Sequence, residues 1–107
     1  MQDQLPTLTH LQFVILATLA GGELPGRTLR ATLGDLGVRR TAPAFYQMMA
    51  RLERDGLVEG WYEQIDTGQQ AHTERRYRAT AAGVKACNAT RAFYTRAGAI
   101  KPRTSHA

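Results

Sequence analysis

The segment Arg39 to Tyr62, RRTAPAFYQMMARLERDGLVEGWY, and the arginine-rich RRYRAT of Arg75 to Thr80 constrain the fold more than any other part of this chain. Thr41 is a good helix N-cap, Pro43 falls in the first turn where its missing N–H costs nothing, and Gly56 suits a left-handed C-cap. At about 100° per residue, Phe45, Met48, Met49 and Leu52 share one helix face, and Pro43, Gln47, Ala50, Arg51 and Arg54 share the opposite one. From Leu57 the run LVEGWYEQI is rich in strand formers. The polar stretch DTGQQAHT then predicts a turn with a long, loose tip, and ERRYRA predicts the returning strand. A capped amphipathic helix leading directly into such a hairpin is the plan of a winged helix-turn-helix, a mainly α fold with a small β-hairpin.

The flanking segments complete that plan. Thr9 caps a first helix whose Leu8, Leu11, Val14, Ile15, Leu16 and Leu19 form a wide apolar face before Gly21 and Gly22 stop it. A second helix is expected from near Pro25 through Leu29, Leu33 and Leu36, ending at Gly37. Thr80 caps a last helix in which Ala86, Ala89, Phe93, Ala97 and Ile100 recur three or four residues apart, with Pro102 beyond its end. That stripe is longer than a small domain needs. It leaves Leu11, Ile15, Ala86, Ala89, Phe93, Tyr94, Ala97 and Ile100 as candidates for an interface. At 107 residues the chain is expected to form one domain. Its parts are a winged-helix core over 8–79, the last helix over 80–100 and a disordered basic tail over 101–107.

Charge and composition narrow the function. Lys and Arg number 14 against 9 Asp and Glu, a net charge of +5, which suits a polyanionic partner. One arginine group surrounds the central helix (Arg39, Arg40, Arg51, Arg54) and another lies on the returning strand (Arg75, Arg76, Arg78). Cys87 is a lone cysteine among alanines and reads as a small buried hydrophobe in a reducing, cytoplasmic setting. The apolar run Leu11 to Ala20 is too short to span a bilayer, and no signal peptide is expected. His10, His72 and His106 are widely separated with no Cys or carboxylate at ligand spacing, so no metal is expected. The glycine pair at Gly21 lacks the strand and lysine of a phosphate loop. Neither an enzyme nor a cofactor is therefore expected.

Double-stranded DNA is the expected partner. Arg51, central on the exposed helix face, has the fork to read guanine O6 and N7, and Gln47 one turn earlier has the amide to read adenine N6 and N7. Pro43 shares that face. Arg39, Arg40 and Thr41 lie at the helix start, where free N–H groups favour a phosphate. Tyr46 falls at the edge between packing and groove. On the returning strand Arg76 and Arg78 alternate with Tyr77 and Ala79, so they are the expected wing contacts, while Gln69, Gln70 and His72 occupy a mobile polar tip. If Arg40, Arg51, Arg76 and Arg78 each meet phosphate in both subunits of a dimer, log K falls with log salt at a slope of about −7. Trp61 is expected in core or interface, with a ligand platform as the other reading.

Three blocks in order resemble the PadR-like family of winged-helix transcriptional regulators across roughly Leu8 to Tyr94. Phe45-Tyr46 is similar to the family's Leu-Tyr pair. Arg51-Leu52-Glu53-Arg54-Asp55-Gly56-Leu57-Val58 is similar to its RLExxGLV signature, and Arg76-Tyr77-Arg78 with Thr80 and Gly83 to its RRYYxLTxxG wing block. MarR-like winged helices share the second block, whereas the wing block favours PadR. This chain departs from the pattern in carrying Gln47 where a proline is common, and Thr41-Ala42-Pro43 in place of Ser-x-Gly. The resemblance implies that Thr80 to Ile100 is a C-terminal dimerisation helix, that the homodimer acts as a repressor on a pseudo-palindromic operator, and that a small aromatic effector binds at the dimer interface near Trp61. A winged-helix protein-interaction module and a small-molecule-binding dimer with little specific DNA binding are the alternative readings.

Overall fold

Local hydrogen bonding places the helices where the capping residues are. In the computed structural model, which describes residues 6–66, 68 and 70–102, α1 spans His10–Leu19. Its capping box is complete: the Thr9 hydroxyl accepts from the Gln12 N–H at 3.1 Å and the Thr9 N–H donates to Gln12 Oε1 at 2.9 Å. Strand β1, Leu24–Pro25, leads into α2, Gly26–Asp35. Helix α3 spans Ala42–Arg54 behind the Thr41 cap, whose hydroxyl accepts from the Ala44 N–H. The hairpin follows as β2, Val58–Asp66, and β3, Ala71–Ala79, and α4 spans Ala81–Gly98.

Both helices leading to the site end in the same way. At α3 the N–H of Leu57 reaches back to the Leu52 carbonyl and that of Gly56 to Glu53, with Gly56 at φ +76°. This paired arrangement satisfies carbonyls the helix would leave bare and needs a residue that tolerates positive φ. Val38 and Gly37 bond to Leu33 and Gly34 in the same pattern, so α2 ends at Asp35 and Gly37 is the turn residue beyond it rather than part of the helix.

The sheet corrects two expectations. It has three strands in the order β1-β3-β2, not two, because Leu24 and Pro25 pair antiparallel with Tyr77 and Arg76. A two-residue strand containing proline has no alternation to detect, and only its partner reveals it. The hairpin tip is also shorter than expected. Pairing continues out to Asp66↔Ala71, so Ala71, His72 and Thr73 lie in β3 although none is a bulky apolar residue. Backbone bonds carry the ladder there. Gln69, assigned to the tip, lies outside the described residues, as does 103–107 of the expected disordered tail.

The core lies where α1, α2, α3 and α4 meet the inner face of the sheet. Ile15, Leu16, Leu19, Leu29, Leu33, Phe45, Met49, Leu52, Val58, Tyr77 and Cys87 are all buried. Each fully buried side chain of this size contributes about 1.5–3 kcal/mol. Ile15 is 0% exposed within its own chain, which removes it from the expected dimer interface. Helix α4 is joined to the wing root by Thr80, whose hydroxyl accepts from the Gly83 N–H at 3.0 Å and donates to the Gly56 carbonyl at 2.6 Å. Gly83 lies so close to Leu57 that a Cβ there would run into the Leu57 carbonyl oxygen. The last helix ends at Gly98, leaving Ile100 beyond it and 74% exposed.

Candidate nucleic-acid interface

Helix α3 presents the face anticipated from its periodicity. Phe45, Met49 and Leu52 are buried and Met48 is half-buried, whereas Pro43, Gln47, Ala50, Arg51 and Arg54 are exposed. A shallow cleft on this face is lined by Arg40, Ala44, Gln47, Met48 and Arg51. Among the described residues neither Arg40 nor Arg51 has a carboxylate within ion-pair distance, and the same holds for Arg30, Arg39 and Arg54. Tyr46 is displaced around the helix toward the wing, where its ring stacks edge-on against Phe45 with centroids 5.0 Å apart. Thr41 acts as a cap with Arg39 and Arg40 exposed just before it.

The wing arginines behave differently. In β3, Arg75 faces α3 together with Tyr77, so the alternation holds that far toward the tip. Its guanidinium meets Glu53 of α3 at 2.7 Å and lies over the Tyr62 ring at 4.7 Å and the Tyr77 ring at 5.4 Å. Burial works against the Arg75 charge, but the Tyr77 phenol and the Glu53 carboxylate outweigh it and raise the pKa. Tyr77 is pushed up by burial, while Arg75 pulls it the other way. Gly60 makes the approach of α3 feasible, since a Cβ there would run into the Glu53 carboxylate and come within 2.8 Å of Arg75 and Tyr77.

Arg76, expected as a wing contact, is mostly covered and paired with carboxylates. Its side chain is 18% exposed and bonds Glu74 at 2.8 Å, with Glu23 at 3.4 Å and Glu63 at 3.6 Å from Nε. The Nε itself is buried without a hydrogen bond. Glu74 is 8% exposed and is held from its other side by Arg27 of α2 at 3.0 Å. Desolvation of the Arg76 guanidinium is outweighed by these carboxylates, which raise its pKa. The cluster ties the wing root to α2. Arg78 is exposed, pairs with Glu59 at 3.1 Å and covers Trp61 with its guanidinium 5.6 Å from the ring centroid. Trp61 is directly opposite Arg76, on the sheet face away from Tyr77 and α3, and is half-buried.

Two further clefts border α3, and Arg27, Arg30, Tyr62 and Thr73 in them were not singled out by sequence reasoning. Tyr62, Thr73 and Arg75 line a cleft of about 470 Å³ with Tyr46, Ala50, Glu53 and Tyr77, between α3 and the wing. On the other side, Arg27, Arg30, Arg39 and Arg40 line a second cleft of about 470 Å³ with Ala31, Gly34 and Asp35. The helical spacing of Arg27 and Arg30 was the available signal, because it places Arg27 about 160° around α2 from Leu29 and Arg30 at the edge of the core face, about 100° from Leu29.

The remaining expected interface residues lie along α1 and α4. Leu11, Phe93, Ala86 and Ala97 are half-buried, and Ala89 and Tyr94 are exposed. Tyr94 contacts the His10, Phe13 and Phe93 rings at centroid distances of 6.1, 6.3 and 5.4 Å. Among the described residues no group of three or more His, Cys, Asp or Glu is placed to hold a metal, and no helix is long and apolar enough to cross a membrane.

Four helices, a three-stranded antiparallel sheet and a helix flanked by basic side chains define a winged helix. Solved structures agree. The chain is similar to a PadR family transcriptional regulator from Eggerthella lenta DSM 2243, at 26% identity and TM-score 0.63, over 82% of this chain and 74% of that one. A PadR-like transcriptional regulator from Bacillus cereus strain ATCC 14579 matches at 19% identity and TM-score 0.69, over 82% and 84%. Bacillus subtilis PadR, solved in complex with operator DNA, matches at 19% identity and TM-score 0.61, over 92% of this chain and 52% of that one. No family model and no curated protein matches the sequence. The chain therefore has the winged-helix fold of these PadR-like regulators.

Proposed function

We propose that this chain is a DNA-binding transcriptional regulator that represses as a homodimer on a pseudo-palindromic operator. The observation that carries the reading is the partition of its arginines. Those of the wing and wing root are neutralised by Glu53, Glu59 and Glu74, whereas Arg30, Arg39, Arg40, Arg51 and Arg54 at α2 and α3 have no carboxylate partner among the described residues. Five of the arginines without a carboxylate partner among the described residues thus lie beside the helix face that carries Gln47 and Arg51, where backbone attraction and base reading are needed together. Two more, Arg91 and Arg96, lie on α4. The operator-bound state of the Bacillus subtilis relative supports the same use of the fold.

In this reading α3 enters the major groove. Arg51 and Gln47 address base edges, Pro43 and Tyr46 flank them, and Arg39, Arg40 and Thr41 hold the phosphate at the helix start. Arg78 retains a role at the wing because an exposed pair with Glu59 is worth little and exchanges readily for a phosphate. A two-fold dimer presents its recognition helices to half-sites one turn apart, about 34 Å. A dimer seated on a promoter in this way represses by excluding other proteins.

Selection of bound sequences from a random DNA pool tests this. Wild type should recover a two-fold motif, and an Arg51→Ala, Gln47→Ala double variant should lose or relax it. Recovery of no motif by the wild-type protein would overturn specific DNA reading and favour a protein-interaction role for the same helix.

A further inference from the structure

We propose that the cleft lined by α2 is a second grip on the DNA backbone, with Arg30 as its central phosphate contact; the assignment rests on the DNA-binding reading above. Four arginines, Arg27, Arg30, Arg39 and Arg40, surround this cleft against one carboxylate, Asp35. Arg27 is drawn toward Glu74, but it stays 74% exposed, and Glu74 is shared with Arg76. Arg30, Arg39 and Arg40 make no ion pair among the described residues. So much uncompensated charge in one concavity is costly unless an anion offsets it.

Arg30 is also oriented in advance. Its Nε donates to the Arg40 carbonyl at 2.9 Å, which fixes the plane of the guanidinium across the gap between α2 and the start of α3. No hydrogen bond among the described residues uses its terminal amino groups. A fork held by one edge with the other edge free is the geometry for bidentate contact with a phosphate.

Continuity favours a strand over a free ion. Arg40 lines both the α2 cleft and the cleft on α3 that carries Gln47 and Arg51. Arg27 lines both the α2 cleft and a smaller one that carries Tyr46, Thr73 and Arg75 at the wing. Exposed basic side chains therefore run from the base-reading helix through the α2 cleft as far as Arg27, where the surface meets Glu74 and the Glu53-paired Arg75 of the wing. Successive phosphates of one backbone fit along the α2 and α3 side.

The test compares wild type, Arg30→Ala and Arg30→Lys on the selected operator over a range of salt, with Arg96→Ala on α4 as a control of equal charge change. Loss of one phosphate contact per protomer should make the slope of log K against log salt less steep by about 2 in Arg30→Ala, with the motif unchanged. Arg30→Lys, which keeps the charge, should restore most of the slope, and Arg96→Ala should match wild type. An unchanged slope in Arg30→Ala, or an equal change in Arg96→Ala, would overturn the grip while leaving DNA binding intact. Failure of the wild-type protein to select any operator would instead remove the reading beneath it. Calorimetry with inorganic tripolyphosphate separates the two sources of phosphate: micromolar binding lost in Arg30→Ala would overturn the backbone assignment in favour of a free phosphoanion.

Discussion

Arg75, Arg76 and Arg78 are neighbours on one strand, yet their surroundings give them separate work. Alternation along the sequence correctly divides them between two faces, because a strand turns each successive side chain over. It does not reveal what waits on each face. Glu53, Glu23 and Glu63 arrive from other elements, so the neutralisation of Arg75 and Arg76 is a tertiary fact. Arg51, by contrast, was legible as an exposed side chain because a helix face is determined within its own segment. Substitutions should separate the two kinds of arginine. Arg76→Ala strips Glu74 of one of its two cationic partners, leaving a largely buried carboxylate underbonded, so the urea midpoint of unfolding should fall while the salt slope of DNA binding stays the same. Arg51→Ala should do the reverse, leaving the midpoint in place and costing about 1–3 kcal/mol of operator affinity if it reads a base. Urea titrations and competition gel shifts on the same preparations decide the matter, and a lost salt slope in Arg76→Ala would return that residue to the interface.

Helices, hairpin and caps were legible because their signals are local: Thr9, Thr41 and Thr80 each accept the hydrogen bond their position demands. What escaped was whatever depends on contact between elements. Strand β1 exists only because β3 passes beside Leu24 and Pro25, and the outer hairpin is paired only because its register is already set nearer the root. The Thr80 and Gly83 motif gains its physical meaning at this scale. Thr80 caps α4 and also bonds the Gly56 carbonyl at the end of α3, so one hydroxyl joins α3 to the last helix. Gly83 then has to lie against the backbone of Leu57. A methyl group at that position would push against a carbonyl that cannot rotate away, because that carbonyl accepts the Thr80 N–H at 3.1 Å. Gly83→Ala should therefore destabilise the fold by about 1–3 kcal/mol in chemical denaturation, even though alanine is the better helix former. A variant as stable as wild type would show that α4 can slide along the wing root without cost.

Across the whole molecule, α1 is the element least satisfied by its own chain. HLQFVILATL is apolar almost all round, and a helix of that kind is covered on more than one side. The core takes Ile15, Leu16 and Leu19, but Leu11, Phe13, Val14 and Ala17 are only partly buried, next to exposed Tyr94 on α4. A second copy covering this surface would complete the burial of α1 and set two recognition helices on one face, which is why dimerisation and DNA affinity should fail together. Leu11→Asp places a carboxylate at the edge of that surface without entering the core, so the protomer should stay folded and sediment as a monomer. If Arg30, Arg40 and Arg78 each contact one phosphate per protomer, the wild-type dimer makes six such contacts and its salt slope is about −5, less steep than a count that includes Arg51 and Arg76. The monomer keeps three, so its slope should be about −3 and its affinity for a full operator should match that for a single half-site. Sedimentation velocity with salt-dependent binding isotherms reads both quantities. A Leu11→Asp protein that remains dimeric would move the interface elsewhere on α4. One that is monomeric but keeps the full slope would mean that each protomer grips twice the length of backbone assigned to it here.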